Sequence, residues 1–279
     1  MALPLPHTRG ISRFPQKRTE KISTMADDLF DIRGKVALVT GGTSGIGMMI
    51  ARGFVNRGAK TYIASRDQAR SDATAAELGG GCVGLCADLG EKDGPAVLAK
   101  ALASHESRLD ILVNNAGAND KSKVEEMSVD GWDEVFDVNL RGAFFLVQQL
   151  LPQLRAAASA DSPARVINIG SIGGLHIPNW EAFPYGASKA AIHHLTRALA
   201  KRFGPDHIVV NAIAPGPFHS RLTDTTSDAV KKSIQTYVPA GRPGLPEDIE
   251  GLAVFLASRA GAYVNGTTIP LDGGYIAAL

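Results

Sequence analysis

From residue 35 onward, short β-branched runs alternate with longer helix-like segments. That order predicts βαβ units feeding a parallel sheet. The expected strands cover 35–40, 60–65, 82–87, 109–114, 165–169, 208–212 and 267–271. They are mostly apolar instead of alternating, as strands covered on both faces must be. Helices are expected over 46–57, 94–104 and 185–203, with a longer one over 129–157. Seven strands with intervening helices and no Pro/Ser-rich linker give an α/β fold: one Rossmann-like, doubly wound, seven-stranded parallel sheet in a single domain over residues 29–279. In such a sheet a ligand lies at the carboxyl ends of the strands, so the residues just after each strand are the ones to inspect.

Composition supports one packed core. Of 279 residues, 44% are hydrophobic and 20% charged, too apolar for a disordered chain. The formal net charge of +1 supplies no field to recruit nucleic acid or an acidic membrane. No apolar run reaches the ~18–20 residues that a membrane-spanning helix needs, so a cytoplasmic enzyme is expected. Residues 1–28 are expected to be a disordered extension. Within residues 1–24, Arg9, Arg13, Lys17, Arg18 and Lys21 face only Glu20, which leaves an organelle-targeting leader as a second reading, and Met25 could serve as an internal start. Cys82 and Cys86 read as reduced strand residues. Seven histidines without ligand spacing suggest no metal.

Strand one runs into Thr40-Gly41-Gly42-Thr43-Ser44-Gly45-Ile46-Gly47 and then a helix. Gly41 allows a tight turn, Gly45 lets main chain approach a pyrophosphate, and Gly47 permits close packing of helix on strand. The helix N-terminus attracts the negative charge. This is a dinucleotide-binding loop in the right context on both sides. An acidic residue ending strand two would accept bonds from a ribose 2′-hydroxyl, but Ser65-Arg66 stands there. A guanidinium suits a 2′-phosphate, and the hydroxyls of Thr43 and Ser44 add donors, so NADP(H) is the expected cofactor. The bland alternative makes Arg66 a solvated helix-start residue, blunted by Asp67.

Three more segments extend the pattern: Asn114-Asn115-Ala116-Gly117 after strand four, Ser171 after strand five, and Tyr185-Gly186-Ala187-Ser188-Lys189 opening a helix. With the glycine loop, with Asn211-Ala212-Ile213-Ala214-Pro215-Gly216 and with the terminal 266–274 segment, they make the chain resemble the short-chain dehydrogenase/reductase family from about residue 34 to 275. Around residues 150–198 it looks most like the branch of NADPH-dependent 3-oxoacyl reductases associated with rhamnolipid synthesis. The resemblance implies that Asp88 bonds the adenine, that Asn114 stabilises the sheet beside the cofactor, and that Pro215 and Gly216 form the turn at the nicotinamide. It extends the cofactor contacts to Ala87, Leu89, Asn115, Ala116, Gly117 and Phe218, and to Ser220 where the family usually has threonine. It also implies that Asn139 is a fourth catalytic residue whose main chain interrupts its helix and holds a water. Ser171 precedes Tyr185 by one residue more than in many relatives, which bears on loop shape.

The chemistry follows from spacing. Tyr185 and Lys189, four apart, share a helix face. An unperturbed tyrosine titrates near ~10, and a nearby ammonium is expected to lower that value. Lys189 is also a ribose ligand by the resemblance. Ser171 and Tyr185 would then bond a ketone oxygen while Tyr185 protonates the emerging alkoxide, with Ser171 as an oxyanion donor. A serine hydrolase reading fails, because Ile169-Gly170-Ser171-Ile172-Gly173 lacks the glycine placement of a nucleophile elbow. Enoyl reductases of this fold place the lysine further from the tyrosine, so a carbonyl is the expected target.

The substrate pocket is expected to include Ser171, Gly173, His176, Trp180, Tyr185 and His219, and by the resemblance residues 221–238 occupy the place of the family's lid. By the resemblance, the long helix from Val129 and the helix from Tyr185 pair across subunits, so a homodimer or homotetramer is expected. The expected function is NADPH-dependent reduction of a ketone, with 3-oxoacyl thioesters first. Two alternatives remain: an NAD(P)-linked dehydrogenase of a polyol or sugar acid, and a non-catalytic dinucleotide sensor.

Overall fold

A strand in the middle of a parallel sheet must be apolar on both faces, and β1 (Val36–Thr40) is buried along its whole length. Val36 and Leu38 enter one core and Ala37 and Val39 the opposite one. The computed structural model describes residues 29–177, 181–220 and 224–279; the extension expected over 1–28 and the pocket residue Trp180 lie outside the described residues. After β1 come α1 (Gly45–Asn56), β2 (Lys60–Ser65), α2 (Gln68–Leu78), β3 (Val83–Cys86), α3 (Gly94–Ala103), β4 (Ile111–Asn114) and α4 (Val129–Phe136). A π-helical turn (Asp137–Gly142) leads into α5 (Ala143–Ala157), followed by β5 (Ala164–Ile169), α6 (Phe183–Phe203), β6 (Ile208–Pro215), α7 (Asp228–Tyr237), α8 (Pro246–Ala257) and β7 (Thr268–Leu271).

The seven strands pair in parallel in the order β3-β2-β1-β4-β5-β6-β7. Strand order therefore reverses between β1 and β4, and the carboxyl ends there open a crevice. Leu98 and Leu102 of α3, Leu146 and Leu150 of α5, and Leu199 and Phe203 of α6 cover one face of the sheet. Ile50 and Phe54 of α1 and Ile249 and Val254 of α8 cover the other. Cys82 and Cys86 are free thiols, and burial pushes Cys82 up to about 11.

The strands lie where the apolar runs predict them, with β6 extended to Pro215. The helix expected over 129–157 is broken at the π-helical turn that contains Asn139. The turn is tied across itself and to the Leu89–Gly90 segment. Arg141 pairs with Asp137 at 2.6 Å and also donates to the Gly90 carbonyl, and Gly142 lies so close to Leu89 that a Cβ would stand 2.4 Å from the Leu89 carbonyl oxygen. No helix among the described residues is long and apolar enough to cross a membrane.

One buried carboxylate ties the β4 entrance to β1. Asp110 accepts from the Val36 N–H at 3.0 Å, from Lys35 Nζ at 3.2 Å and from Arg108 Nη2 at 2.5 Å. Burial alone would raise its pKa, but Arg108, Val36 and Lys35 together hold it below the usual 3.8. A carboxylate depressed on folding contributes stability that is complete above its unfolded pKa and lost as pH falls through the lower folded value. Asp110→Ala leaves the Val36 N–H without its acceptor and is expected to cost about 1–3 kcal/mol in urea unfolding at pH 7, with less of that difference at pH 3. An equal loss at both pH values would contradict the assignment.

Candidate active site

The β1/β4 reversal point is held by Thr40 and Asn115. Thr40 Oγ1 accepts from the N–H groups of Asn115 at 2.9 Å and Ala116 at 3.0 Å, while Asn115 Nδ2 donates to the Thr40 carbonyl at 2.8 Å. Close approach excludes side chains here. Gly41 has φ +63°, and a Cβ on Gly47 would stand 2.3 Å from both Asn115 Nδ2 and the Gly41 oxygen. The loop delivers the chain to α1 with Ser44 in extended conformation and no side chain capping the helix. The first-turn N–H groups thus remain available to an anion.

From this loop a cavity of about 880 Å³ runs across the carboxyl ends of β2 to β6, within the ~300–1,000 Å³ of ordinary ligand sites. Its wall contains Gly41, Thr43, Ser44, Gly45, Ile46, Ser65, Arg66, Ala87, Asp88, Leu89, Asn115, Ala116, Gly117, Pro215, Gly216, Phe218 and Ser220. Of the expected cofactor contacts only Gly47 is missing from the wall, because it packs α1 onto the loop. An extended groove with a bare helix N-terminus at one end fits a dinucleotide. Arg66 reaches Asp88 at 3.8 Å and is two-thirds exposed, so its guanidinium faces the groove's solvent side. Asp67 does not blunt it directly: its carboxylate caps α2 by accepting from the Arg70 N–H at 3.0 Å. The Ser65 hydroxyl is occupied locally, 2.8 Å from Ser71 Oγ.

Ser171, Tyr185 and Lys189 line the same cavity. Ser171 ends the β5 segment and caps a short turn, its Oγ accepting from the Gly173 N–H at 3.0 Å. With that lone pair used, its proton is directed toward other acceptors. Lys189 is buried, donates to the Ile169 carbonyl at 2.8 Å, and lies over the Tyr185 ring 5.6 Å from its centroid. Burial brings the lysine down to about 8.

The lowered tyrosine expected from the four-residue spacing is not found. Burial raises Tyr185 above its usual 10, and the hydrogen-bonded Ser171 side chain offsets only part of that. Desolvation of the phenolate is the dominant cause.

Asn139 does not line the cavity; its side chain ties three segments together. Nδ2 donates to the Ala118 carbonyl and to Ser188 Oγ, each at 3.0 Å, and Oδ1 accepts from the Ala118 N–H at 2.8 Å. Asn114, as expected, braces the sheet, donating to Asn168 Oδ1 at 2.9 Å.

Gly173 and His176 line the cavity, but His219 does not. It is exposed, with Nδ1 3.2 Å from Thr225 Oγ1, because the chain after β6 turns its side chain toward the following loop. From the segment expected as a lid, Ala229, Val230, Ser233 and Ile234 of α7 line the cavity, while residues 221–223 lie outside the described residues; wall residues not foreseen include Asn119, Glu134 and Tyr275 near the C-terminus. The α7 set had a signal: positions 229, 230, 233 and 234 share one helix face. Tyr275 had none, since its ring reaches the wall through contacts with His176 at 5.1 Å and Tyr237 at 5.9 Å.

Comparison with known proteins places this site in a family. Residues 41–276 match the family model described as enoyl-(acyl carrier protein) reductase. The chain belongs to the short-chain dehydrogenase/reductase family of oxidoreductases. It is 46% identical, over 88% of its length and 98% of the relative's, to the rhamnolipids biosynthesis 3-oxoacyl-[acyl-carrier-protein] reductase of Pseudomonas aeruginosa. It is 37% identical, over 89% and 98%, to the 2-dehydro-3-deoxy-D-gluconate 5-dehydrogenase of Dickeya dadantii. Among solved structures, the Pseudomonas aeruginosa RhlG/NADP active-site complex aligns with a TM-score of 0.85 and 46% identity, covering 88% of this chain and 98% of that one.

Gly47→Ala is expected to lower unfolding stability by about 1–3 kcal/mol through overpacking and to weaken dinucleotide binding, measured by denaturation and by fluorescence titration. Unchanged values in both would contradict the role given to this contact.

Proposed function

We propose that this chain is an NADPH-dependent ketone reductase whose first substrate class is 3-oxoacyl thioesters. The observation that carries the reading is one cavity that joins the dinucleotide loop to Ser171, Tyr185 and Lys189. The 46% identity to a 3-oxoacyl reductase, and the alignment with an NADP complex, support the substrate and cofactor. Arg66 is the residue that would meet a 2′-phosphate, with the Thr43 and Ser44 hydroxyls beside it. Asp88 would bond the adenine, and Pro215 and Gly216 would border the nicotinamide. Bound in this groove, the reduced cofactor supplies a hydride to the carbonyl carbon.

The chain's own part is to hold the carbonyl oxygen and deliver a proton to it. Ser171 donates to that oxygen as negative charge develops there. Tyr185 donates the proton that completes the alcohol. A phenol kept protonated by burial is in the form this direction requires. Lys189, which burial brings down to about 8, can exchange a proton near neutral pH, and it would also hold the cofactor's ribose. Asn139 supports this exchange as a helix interruption beside Ser188 and Lys189, where its main chain would hold a water.

A second reading, oxidation of a polyol or sugar acid, is favoured by the gluconate dehydrogenase relative and by polar wall residues Asn119, Glu134 and Ser233. The four-residue separation of Tyr185 and Lys189 on α6 argues for carbonyl over double-bond reduction. We also infer that α4 and α5, together with α6, pair across subunits, a reading supported by the exposed Val129, Trp132, Phe144 and Phe145 and by Phe183 of α6. Sedimentation should therefore return a dimer or tetramer; a monomer at micromolar concentration would refute the pairing.

The deciding assay is a panel of 3-oxoacyl thioesters, diketones and sugar acids with NADPH and NADH, repeated with Tyr185→Phe. NADPH with 3-oxoacyl thioesters should give the highest kcat/KM. The variant should keep cofactor affinity and lose roughly 10²- to 10⁴-fold in kcat. Near-normal turnover in the variant would remove Tyr185 as proton donor.

A further inference from the structure

The β5 ladder ends at Gly170, whose N–H still donates to the Ile213 carbonyl at 2.7 Å. The next N–H, that of Ser171, turns instead to a side chain: His193 Nε2, at 3.4 Å. His193 lies on α6 four residues past Lys189, so both face β5 from one side of the helix. The ring is buried, at 6% exposure, and it fills the space that a side chain on residue 170 would take. A Cβ on Gly170 would stand 2.0 Å from Nε2. Hydrogen bonds on both sides of His193 tie α6 to β5. Lys189 Nζ donates to the Ile169 carbonyl at 2.8 Å, and Asn168 Nδ2 donates to Thr196 Oγ1 at 2.9 Å.

A ring nitrogen that accepts carries no proton, so the hydrogen sits on Nδ1. There the Gly174 carbonyl draws on it without completing a hydrogen bond of full geometry. Burial, reinforced by the Lys189 charge, brings the imidazole down to about 4, which keeps it neutral at pH 7. An imidazolium would set an N–H against the Ser171 N–H and a second cation beside Lys189. The main chain of residue 171 is thus set by a ring on the helix that also carries Tyr185.

We propose that His193 is a positioning residue: its Nε2 accepts the Ser171 main-chain N–H and so fixes the direction in which the Ser171 hydroxyl meets the carbonyl oxygen. The inference rests on the reductase reading for the role of Ser171, but the hydrogen bond itself does not. Because Ser171 Oγ is also pinned by the Gly173 N–H, a shift in the main chain at 171 moves the hydroxyl with it. Misplacement of such a group is costly in kcat while cofactor binding, made mostly by other elements, is spared.

Two variants and one spectrum test this. His193→Leu keeps apolar volume and removes the acceptor; kcat should fall on the order of 10- to 10²-fold, with NADPH affinity within about twofold of the parent. His193→Gln places an amide oxygen near the Nε2 position and should restore most of the lost kcat. Equal losses in both variants, or an unchanged kcat in His193→Leu, would overturn the proposal. Independently of activity, ¹⁵N-histidine NMR at pH 7, with the His193 signal assigned by its absence from the Gln variant, should report a neutral ring protonated at Nδ1. An Nε2–H tautomer or an imidazolium would overturn it. If the parent reduces no member of the panel, the reductase reading fails while the spectrum still decides the bond.

Discussion

The site depends on how α6 is laid across the carboxyl end of β5. Lys189 Nζ bonds the Ile169 carbonyl where the sheet stops, and the same helix presents Tyr185 one turn earlier. A buried ammonium that meets no carboxylate among the described residues is costly, and a main-chain carbonyl offsets only part of that cost. The helix is therefore held where this carbonyl is within reach. Ser171, two residues beyond Ile169, is brought next to the phenol by the same constraint.

Burial that makes the arrangement rigid also sets its acid–base character. Tyr185 is shifted up and Lys189 down, so the phenol stays protonated while the ammonium becomes labile near neutral pH. The two shifts share one cause, removal of charge from water. They divide the work in the way a reduction needs, with a neutral donor at the substrate and an exchangeable proton behind it. The π-helical turn serves the same end from the other side. It lets Asn139 reach both the Ala118 loop after β4 and Ser188, next to Lys189.

Much of this was legible in the sequence, because its signals are local. Apolar runs fix which strands are central, and the glycines at 41, 45 and 47 mark places where backbone must pass backbone. What escaped is tertiary. The sign of the Tyr185 shift depends on how deeply α6 is buried, which a four-residue spacing does not contain. His219 was misassigned because its position after β6 says nothing about the direction of its side chain, which meets Thr225. Tyr275 was missed because it reaches the cavity only through packing on His176 and Tyr237, far away along the chain. The role of Asp67 as the α2 cap is visible only once its carboxylate is seen on the Arg70 N–H.

Burial, and not the lysine charge, governs the Tyr185 phenol. The most direct measurement is the titration of Tyr185 by ¹³Cζ NMR in cofactor-free protein, assigned with the phenylalanine variant. The midpoint should lie above the ordinary tyrosine value of ~10; a midpoint below it would mean that the lysine charge prevails over burial.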